Sequence, residues 1–137
     1  MIQLFHYVCN QCSTLTTHKY STSFASAIKF LHKDLRTPLY NIYGFVRFAD
    51  EIVDTFHDYD KTALLREYKA DTYNAISRKI SLNPILHSFQ QTINEYSIDL
   101  ALVESFFKSM ECDLDKLQYD RLGYEEYIYG SAEVVGL

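Results

Sequence analysis

The sequence is poor in residues that interrupt helices. It has 4 glycines and 2 prolines among 137 residues, and it has no tryptophan, although it contains 12 tyrosines and 9 phenylalanines. Nearly half of the residues are apolar, which is enough for one domain of this length to bury a real core. This composition excludes a disordered chain and favours a compact helical one.

Basic charge, long apolar runs and paired cysteines are scarce as well. The net charge of −5 argues against a general nucleic-acid surface, so we expect no nucleic-acid partner. No apolar stretch reaches the length of a transmembrane helix, and the first residues lack the pattern of a signal peptide. An odd number of cysteines, three, disfavours a disulfide scaffold. We therefore expect a cytoplasmic location, with membrane association if the substrate is apolar.

The spacing of apolar residues predicts helices throughout, and no segment alternates as a half-buried strand does. Thr37 followed by Pro38, and Asn83 followed by Pro84, each match an N-cap with proline in the first turn. Asp60 and Asp99 are further candidate N-caps. The predicted helices span residues 3–18, 22–34, 38–57, 61–80, 84–96, 99–117 and 123–137. We expect an all-α fold in a single domain over residues 1–137.

The helix predicted from Pro38 carries two stripes of side chains. The apolar stripe consists of Leu39, Ile42, Val46, Ala49, Val53 and Phe56. The second stripe consists of Tyr43, Arg47, Asp50 and Asp54. It lies about 40° further around the helix, since successive residues turn about 100°. We therefore expect both carboxylates to border the buried face instead of facing open water.

Two carboxylates one turn apart repel each other, and burial near a core makes their charges more costly. A divalent cation would reverse both effects, and magnesium commonly binds one or two carboxylates together with substrate phosphates. Arg47, one turn earlier, could hold phosphate oxygens in its planar fork. The alternative is a solvated helix face. Other acidic pairs share the same spacing: Asp54/Asp58, Glu67/Asp71, Glu95/Asp99 and Glu111/Asp115.

Cys9 and Cys12 form a C-x-x-C motif, with His6 and His18 nearby. A zinc site requires four ligands, and a thioredoxin-like motif requires a βαβ setting. The sequence offers neither context, so we expect two ordinary helix cysteines.

Three segments together resemble the squalene/phytoene synthases, which are head-to-head prenyl transferases with an all-α isoprenoid synthase fold. The segments are "YSTSF" (20–24), "IYGFVRFADEIVD" (42–54) and "YIYGSAEVVG" (127–136). They occur in family order and span nearly the whole chain. The resemblance implies a bundle of six to seven helices around a prenyl tunnel. It also implies Mg²⁺ as cofactor, with Mn²⁺ as a substitute, and a prenyl diphosphate as substrate.

The resemblance also implies residue roles. Asp50 and Asp54 would bind the metal and, through it, the substrate diphosphate. Tyr43 and Tyr127 would lie near the reacting centre. The remaining substrate-binding residues implied in this way are Ser21, Ser23, Phe24, Arg47, Ala132, Val135 and Gly136.

The residues of the second motif resemble those of phytoene synthases most. A phytoene synthase condenses two geranylgeranyl diphosphates through a cyclopropyl diphosphate to phytoene in carotenoid biosynthesis. Squalene or dehydrosqualene synthesis from farnesyl diphosphate is the alternative. The family's second aspartate-rich motif is missing from these 137 residues. We therefore expect the N-terminal part of a longer synthase domain, inactive alone. A non-catalytic interaction protein or half-synthase is the remaining alternative, and the oligomeric state stays open.

Overall fold

The computed structural model describes the backbone of residues 1–136 and the side chains of residues 1–118. Residues 1–136 form six α-helices and no strand, which confirms the expected all-α class. None of these helices combines the length and the apolar character needed to cross a membrane. The helices are α1 (Ile2–Tyr20), α2 (Thr22–Ile28), α3 (Lys33–Asp54), α4 (Lys61–Arg78), α5 (Pro84–Glu95) and α6 (Leu100–Gly136).

Three of the predicted N-caps are confirmed by hydrogen bonds. The Asp60 carboxylate accepts from the Ala63 N–H at 3.1 Å, at the start of α4. The Asn83 side chain accepts from two backbone N–H groups at the start of α5, where Pro84 occupies the first turn. The Asp99 carboxylate accepts from the second residue of α6 at 2.9 Å. Each cap satisfies backbone donors that a helix N-terminus leaves unpaired.

The prediction that Thr37 caps a helix beginning at Pro38 is wrong. α3 begins a turn earlier, where the His32 side chain accepts from the Asp34 N–H, and Pro38 lies inside the helix. Proline cannot donate to the carbonyl four residues before it, which here belongs to Asp34. The Tyr96 hydroxyl donates to that carbonyl at 3.4 Å instead. This contact from the end of α5 gives the carbonyl a donor in place of the one that proline removes.

Three other predicted boundaries are corrected by specific contacts. α2 ends at Ile28 instead of residue 34, because the Arg36 guanidinium donates to the carbonyls of Lys29 and Leu31 and stabilises a turn there. α3 ends at Asp54 instead of residue 57, where buried Lys61 donates to the Val53 carbonyl. The helices predicted at 99–117 and 123–137 are one helix, α6. Gly123 lies where the second of these helices was predicted to begin, and one glycine inside a helix costs only about 1 kcal/mol, which is too little to end α6.

The core centres on Phe45 of α3, which the predicted apolar stripe omitted. Its ring stacks on Phe89 of α5 at 3.7 Å between centroids and lies 5.7 Å from Phe107 of α6. The buried Tyr68 hydroxyl donates to the Phe45 carbonyl at 2.8 Å, and burial raises the pKa of that hydroxyl. Because α3 is packed by α1, α4, α5 and α6, its buried arc is wider than one stripe.

α1 and α3 approach closely at Gly44. A Cβ atom added at Gly44 would lie 3.1 Å from Ser13 Oγ and 3.3 Å from Ser13 Cα. The Ser13 hydroxyl also pairs with the Ser88 hydroxyl of α5 at 2.6 Å. The small residues therefore let three helices share one buried, polar contact. This packing fixes the end of α1 against the middle of α3, which is where the candidate site lies.

Candidate functional site

The early motif at residues 20–24 lies directly against α3. The Phe24 ring stacks on the Tyr43 ring at 5.1 Å between centroids, with 27° between the ring planes. One turn further along α3, the Arg47 guanidinium carbon lies 4.6 Å from the centre of the Tyr20 ring. Residues from the end of α1, from α2 and from α3 thus form one surface, although they lie far apart in the sequence. The surface includes Phe24 and Arg47, which were predicted to bind the substrate, and Tyr43, which was predicted to lie near the reacting centre.

Ser21 and Ser23 shape the turn between α1 and α2. The Ser21 hydroxyl oxygen accepts from the Phe24 N–H at 3.1 Å and so caps α2. The Ser23 hydroxyl lies 3.5 Å from it and is exposed. Ser21 therefore holds the turn that presents Phe24 to Tyr43. This role in folding is compatible with a second hydrogen bond from its hydroxyl proton.

Arg47 is held by a neighbour on its own helix. Its guanidinium donates to the Glu51 carboxylate one turn later, and the two side chains are 25 % and 16 % exposed. This hydrogen bond raises the pKa of Arg47. The Arg47 Nε–H is buried and has no hydrogen-bond partner among the described residues. A buried N–H without an acceptor is costly, so an anionic oxygen at this position would be favourable.

Asp50 and Asp54 differ in exposure although they lie one turn apart. Asp50 is half-buried, and its pKa is raised, first by burial and second by the Asp54 carboxylate. Arg47 opposes this shift. Asp54 is exposed at the C-terminal end of α3. The expectation that both carboxylates border the buried face is therefore correct for Asp50 and wrong for Asp54, because α3 ends there and leaves its last residue in solvent.

Three further residues belong to this surface and were missed by the sequence reasoning. Asp113 of α6 adds to the raised pKa of Asp50, as a smaller cause than burial and Asp54. Tyr20 and Glu51 contact Arg47. Glu51 had a local signal, its position one helical turn after an arginine. Asp113 had none, because its proximity to Asp50 arises only when α6 packs against α3.

The carboxylates fit a magnesium ion that relies on other ligands. No group of three potential His, Cys, Asp or Glu ligands is found in the part of the chain that the structure describes. Magnesium usually keeps several waters and takes one or two carboxylates plus substrate phosphates. Asp50 and Asp54 supply that number, and their mutual repulsion supplies a reason to bind a cation.

Two cavities bear on this region differently. One of about 470 Å³ is lined by Tyr20 and Glu51 together with Phe48, Ile52 and Phe56. A larger one, of about 1090 Å³, lies between α1, α3 and α5 near Asn10 and Tyr96. The larger cavity is lined by none of the candidate site residues. Size alone therefore does not locate the chemistry, and the smaller cavity is lined by Tyr20 and Glu51, which both contact Arg47.

Comparison with known proteins gives one match. A sequence model of the squalene/phytoene synthase family matches residues 17–137. The chain belongs to the squalene/phytoene synthase family. The members of this family are prenyl transferases, so the chain is assigned to the transferases. No match was obtained among curated proteins or among solved structures.

The family match includes the third motif, which the backbone places on α6. The residues predicted there, Tyr127, Ala132, Val135 and Gly136, lie outside the described side chains. Their predicted roles remain predictions.

The C-x-x-C motif of this family member is not a reactive pair in the structure. Cys9 is fully buried in α1, and burial raises the pKa of its thiol to about 11. Cys12 adds to this shift, and both thiols are free. A thiol with such a pKa is protonated at neutral pH and is a poor nucleophile and metal ligand. The pair therefore serves helix packing, as expected.

Proposed function

We propose that this chain binds a prenyl diphosphate through Mg²⁺ at Asp50 and Asp54. The reaction that we propose for the site is head-to-head condensation of two geranylgeranyl diphosphates to phytoene through a cyclopropyl diphosphate, with release of diphosphate. Squalene or dehydrosqualene formation from farnesyl diphosphate is the second candidate. The family match supports both reactions. The only further support for phytoene formation is the sequence of the second motif.

The observation that carries the proposal is the meeting of the two motifs. Phe24 stacks on Tyr43, and Tyr20 lies over Arg47, so both segments face one surface. The buried Arg47 Nε–H lacks an acceptor there, and Asp50 lies one turn further along the same helix. An anion-binding donor, metal-binding carboxylates and aromatic faces are the groups that ionisation of a prenyl diphosphate requires.

The residues of the chain would divide the work as follows. Arg47 binds diphosphate oxygens through the N–H groups that Glu51 leaves unused. Asp50 and Asp54 would hold Mg²⁺, which, when bound, neutralises the charge that develops on the leaving diphosphate. Phe24 and Tyr43 present ring faces to the allylic cation. Water would quench that cation, so the complete site must exclude it.

We also propose that the described residues supply one part of the metal apparatus. They contain the carboxylate pair but no cluster of three potential ligands. A second set of carboxylates would complete a site for two diphosphate groups, and without it the chain would bind substrate but not turn it over. A half-synthase that depends on a partner is the corresponding second function.

For location, we propose a cytoplasmic protein with peripheral membrane contact, because substrate and product are apolar.

Product analysis tests the proposal. The chain is incubated with Mg²⁺ and either geranylgeranyl or farnesyl diphosphate, with and without NADPH, because squalene formation requires a hydride donor whereas phytoene and dehydrosqualene form by loss of a proton. The extracted hydrocarbons are identified by mass. Phytoene supports the first candidate, and a squalene-type product supports the second. Magnesium-dependent binding of substrate without product supports the half-synthase. If neither diphosphate binds in the presence of Mg²⁺, the proposed function is wrong.

A further inference from the structure

Arg47 has more than one carboxylate within helical reach. Asp50 follows it by three residues and Glu51 by four, and both spacings bring side chains together on a helix. The structure pairs Arg47 with Glu51. Asp50 lies within one turn of Arg47 on α3, so its carboxylate is the other acceptor within reach of the guanidinium. The pairing with Glu51 is thus one of two alternatives.

Tyr20 restricts the other side of the guanidinium. Its ring lies 4.6 Å from the guanidinium carbon, a cation–π distance. Tyr20 and Glu51 also both line the cavity of about 470 Å³ described above. Shortening the Tyr20 side chain would therefore enlarge the space beside Arg47 and free the guanidinium to change rotamer.

We propose that Glu51 and Tyr20 are positioning residues that hold Arg47 away from Asp50 and keep the Asp50 carboxylate available to a metal ion. This inference rests on the proposed function and adds two residues to it. Glu51 occupies one edge of the guanidinium and Tyr20 covers its face, while the buried Nε–H remains unpaired. That Nε–H is then presented to a diphosphate oxygen.

The charge arrangement gives the reason that Glu51 matters. If Glu51 loses its charge, Asp50 becomes the nearest ionised partner of Arg47 on the same helical surface. A carboxylate that accepts from an arginine has fewer lone pairs for a metal and is less negative in effect. Metal binding would then require Arg47 to be displaced first. We therefore expect loss of Glu51 to weaken the metal rather than the fold.

The test uses the 137-residue chain and a non-reactive prenyl thiodiphosphate as the probe. The probe is held constant and Mg²⁺ is titrated by calorimetry. Glu51→Gln keeps the size and hydrogen-bonding ability of the side chain but removes its charge. We expect its Mg²⁺ midpoint to rise about fivefold, which corresponds to ~1 kcal/mol. The matched control is Glu67→Gln, since Glu67 lines the same cavity and makes no ion pair among the residues described.

Tyr20 is tested in the same titration through affinity for the thiodiphosphate at saturating Mg²⁺. We expect Tyr20→Leu to weaken the probe severalfold, whereas Tyr20→Phe, which keeps the ring, should bind as the unmodified chain does. Thermal unfolding of each variant shows whether the fold is retained. A merely structural role would shift the unfolding temperature but not separate the two Tyr20 variants in binding.

The outcomes distinguish this inference from the function on which it rests. If the unmodified chain binds the probe only with Mg²⁺ and Glu51→Gln and Tyr20→Leu behave like it, the positioning role is wrong and the proposed function stands. If the unmodified chain does not bind the probe with Mg²⁺, both are wrong. If Glu51→Gln raises the Mg²⁺ midpoint and Glu67→Gln does not, the positioning role is supported.

Discussion

Arg47 is the residue on which most contacts of the candidate site converge. It pairs with Glu51, lies against Tyr20 and influences the Asp50 carboxyl group. Its Nε–H is buried and has no hydrogen-bond partner among the residues that the structure describes. A planar fork that is fixed on two sides leaves few directions for a bound anion, and this gives the site its geometric selectivity.

We expect Arg47→Lys to bind prenyl thiodiphosphate about tenfold more weakly than the unmodified chain, because lysine keeps the charge but lacks the planar fork. The measurement is the dissociation constant at saturating Mg²⁺. Arg66→Lys is the control, since Arg66 is an exposed residue of α4. Equal affinity in Arg47→Lys and the unmodified chain would mean that the guanidinium contributes charge alone.

His87 makes stability depend on pH. It is fully buried, and its Nδ1 accepts from the Ser81 N–H at 3.2 Å, so its proton is on Nε2, which donates to His6 Nδ1 at 2.8 Å. Burial, and secondly His6, lower the pKa of His87. The unfolded chain therefore binds more protons than the folded chain below about pH 6.5, the usual histidine value.

It follows that the free energy of unfolding should fall as the pH decreases from about 7.5 to 5.5. Urea unfolding at a series of pH values measures this slope. His87→Gln should be less stable at neutral pH and show a smaller slope than the unmodified chain. A stability that rises towards pH 5.5 would contradict the assignment of a neutral, buried His87.

The sequence brings candidate residues together where the signal is local, and it misses neighbours that only tertiary packing brings to them. Asp50, Asp54 and Arg47 follow from one helical stripe. Tyr20 was part of a quoted motif but received no role, because its contact with Arg47 requires α1 to fold back on α3. Asp113 was missed for the same reason, since its contribution depends on the packing of α6.

At the scale of helices, the contact between α1 and α3 controls how the two motifs meet. Gly44 permits that contact, because its hydrogen faces Ser13 at a distance where any larger side chain is crowded. Tyr20 is the last residue of α1, so a shift of α1 at Ser13 would also move the Tyr20 ring, which lies against Arg47. The glycine is thus a packing residue that supports the site.

We expect Gly44→Val to lower the free energy of unfolding by about 1–3 kcal/mol, because overpacking moves backbone as well as side chains. Chemical denaturation measures this. Ala70→Val is a suitable control, because Ala70 is an exposed position of α4 that also receives a β-branched side chain in a helix. If Gly44→Val is as stable as the unmodified chain or more stable, as helix propensity alone predicts for replacing glycine by valine, the contact with Ser13 does not matter.

Helix boundaries show which sequence signals suffice. Caps with their own side-chain acceptor, at Asp60 and Asn83, were predicted correctly because the signal and the hydrogen bond are local. The start of α3 was not, since Pro38 is accommodated by a hydroxyl from Tyr96, far along the chain. The end of α3 likewise depends on Lys61 of the next helix. Local chemistry sets a helix start, and tertiary contacts can move it.

At the scale of the whole molecule, the all-α class followed from the scarcity of glycine and proline and from helical periodicity. The family follows from three motifs in order and is established by the match over residues 17–137. The choice between two prenyl chain lengths does not follow, because the family resemblance makes it depend on the depth of a tunnel that side chains from several helices would form. Composition and motif spacing carry no information on that depth.

The central claim is that Asp50 and Asp54 bind a prenyl diphosphate through Mg²⁺. The most direct measurement is calorimetric binding of geranylgeranyl thiodiphosphate with and without Mg²⁺, for the unmodified chain, Asp50→Asn, Asp54→Asn and the control Asp58→Asn. We predict Mg²⁺-dependent binding that weakens at least tenfold, or ~1.4 kcal/mol, in the first two variants and is unchanged in the control. Binding that is independent of Mg²⁺, or equal in all four proteins, would contradict the claim.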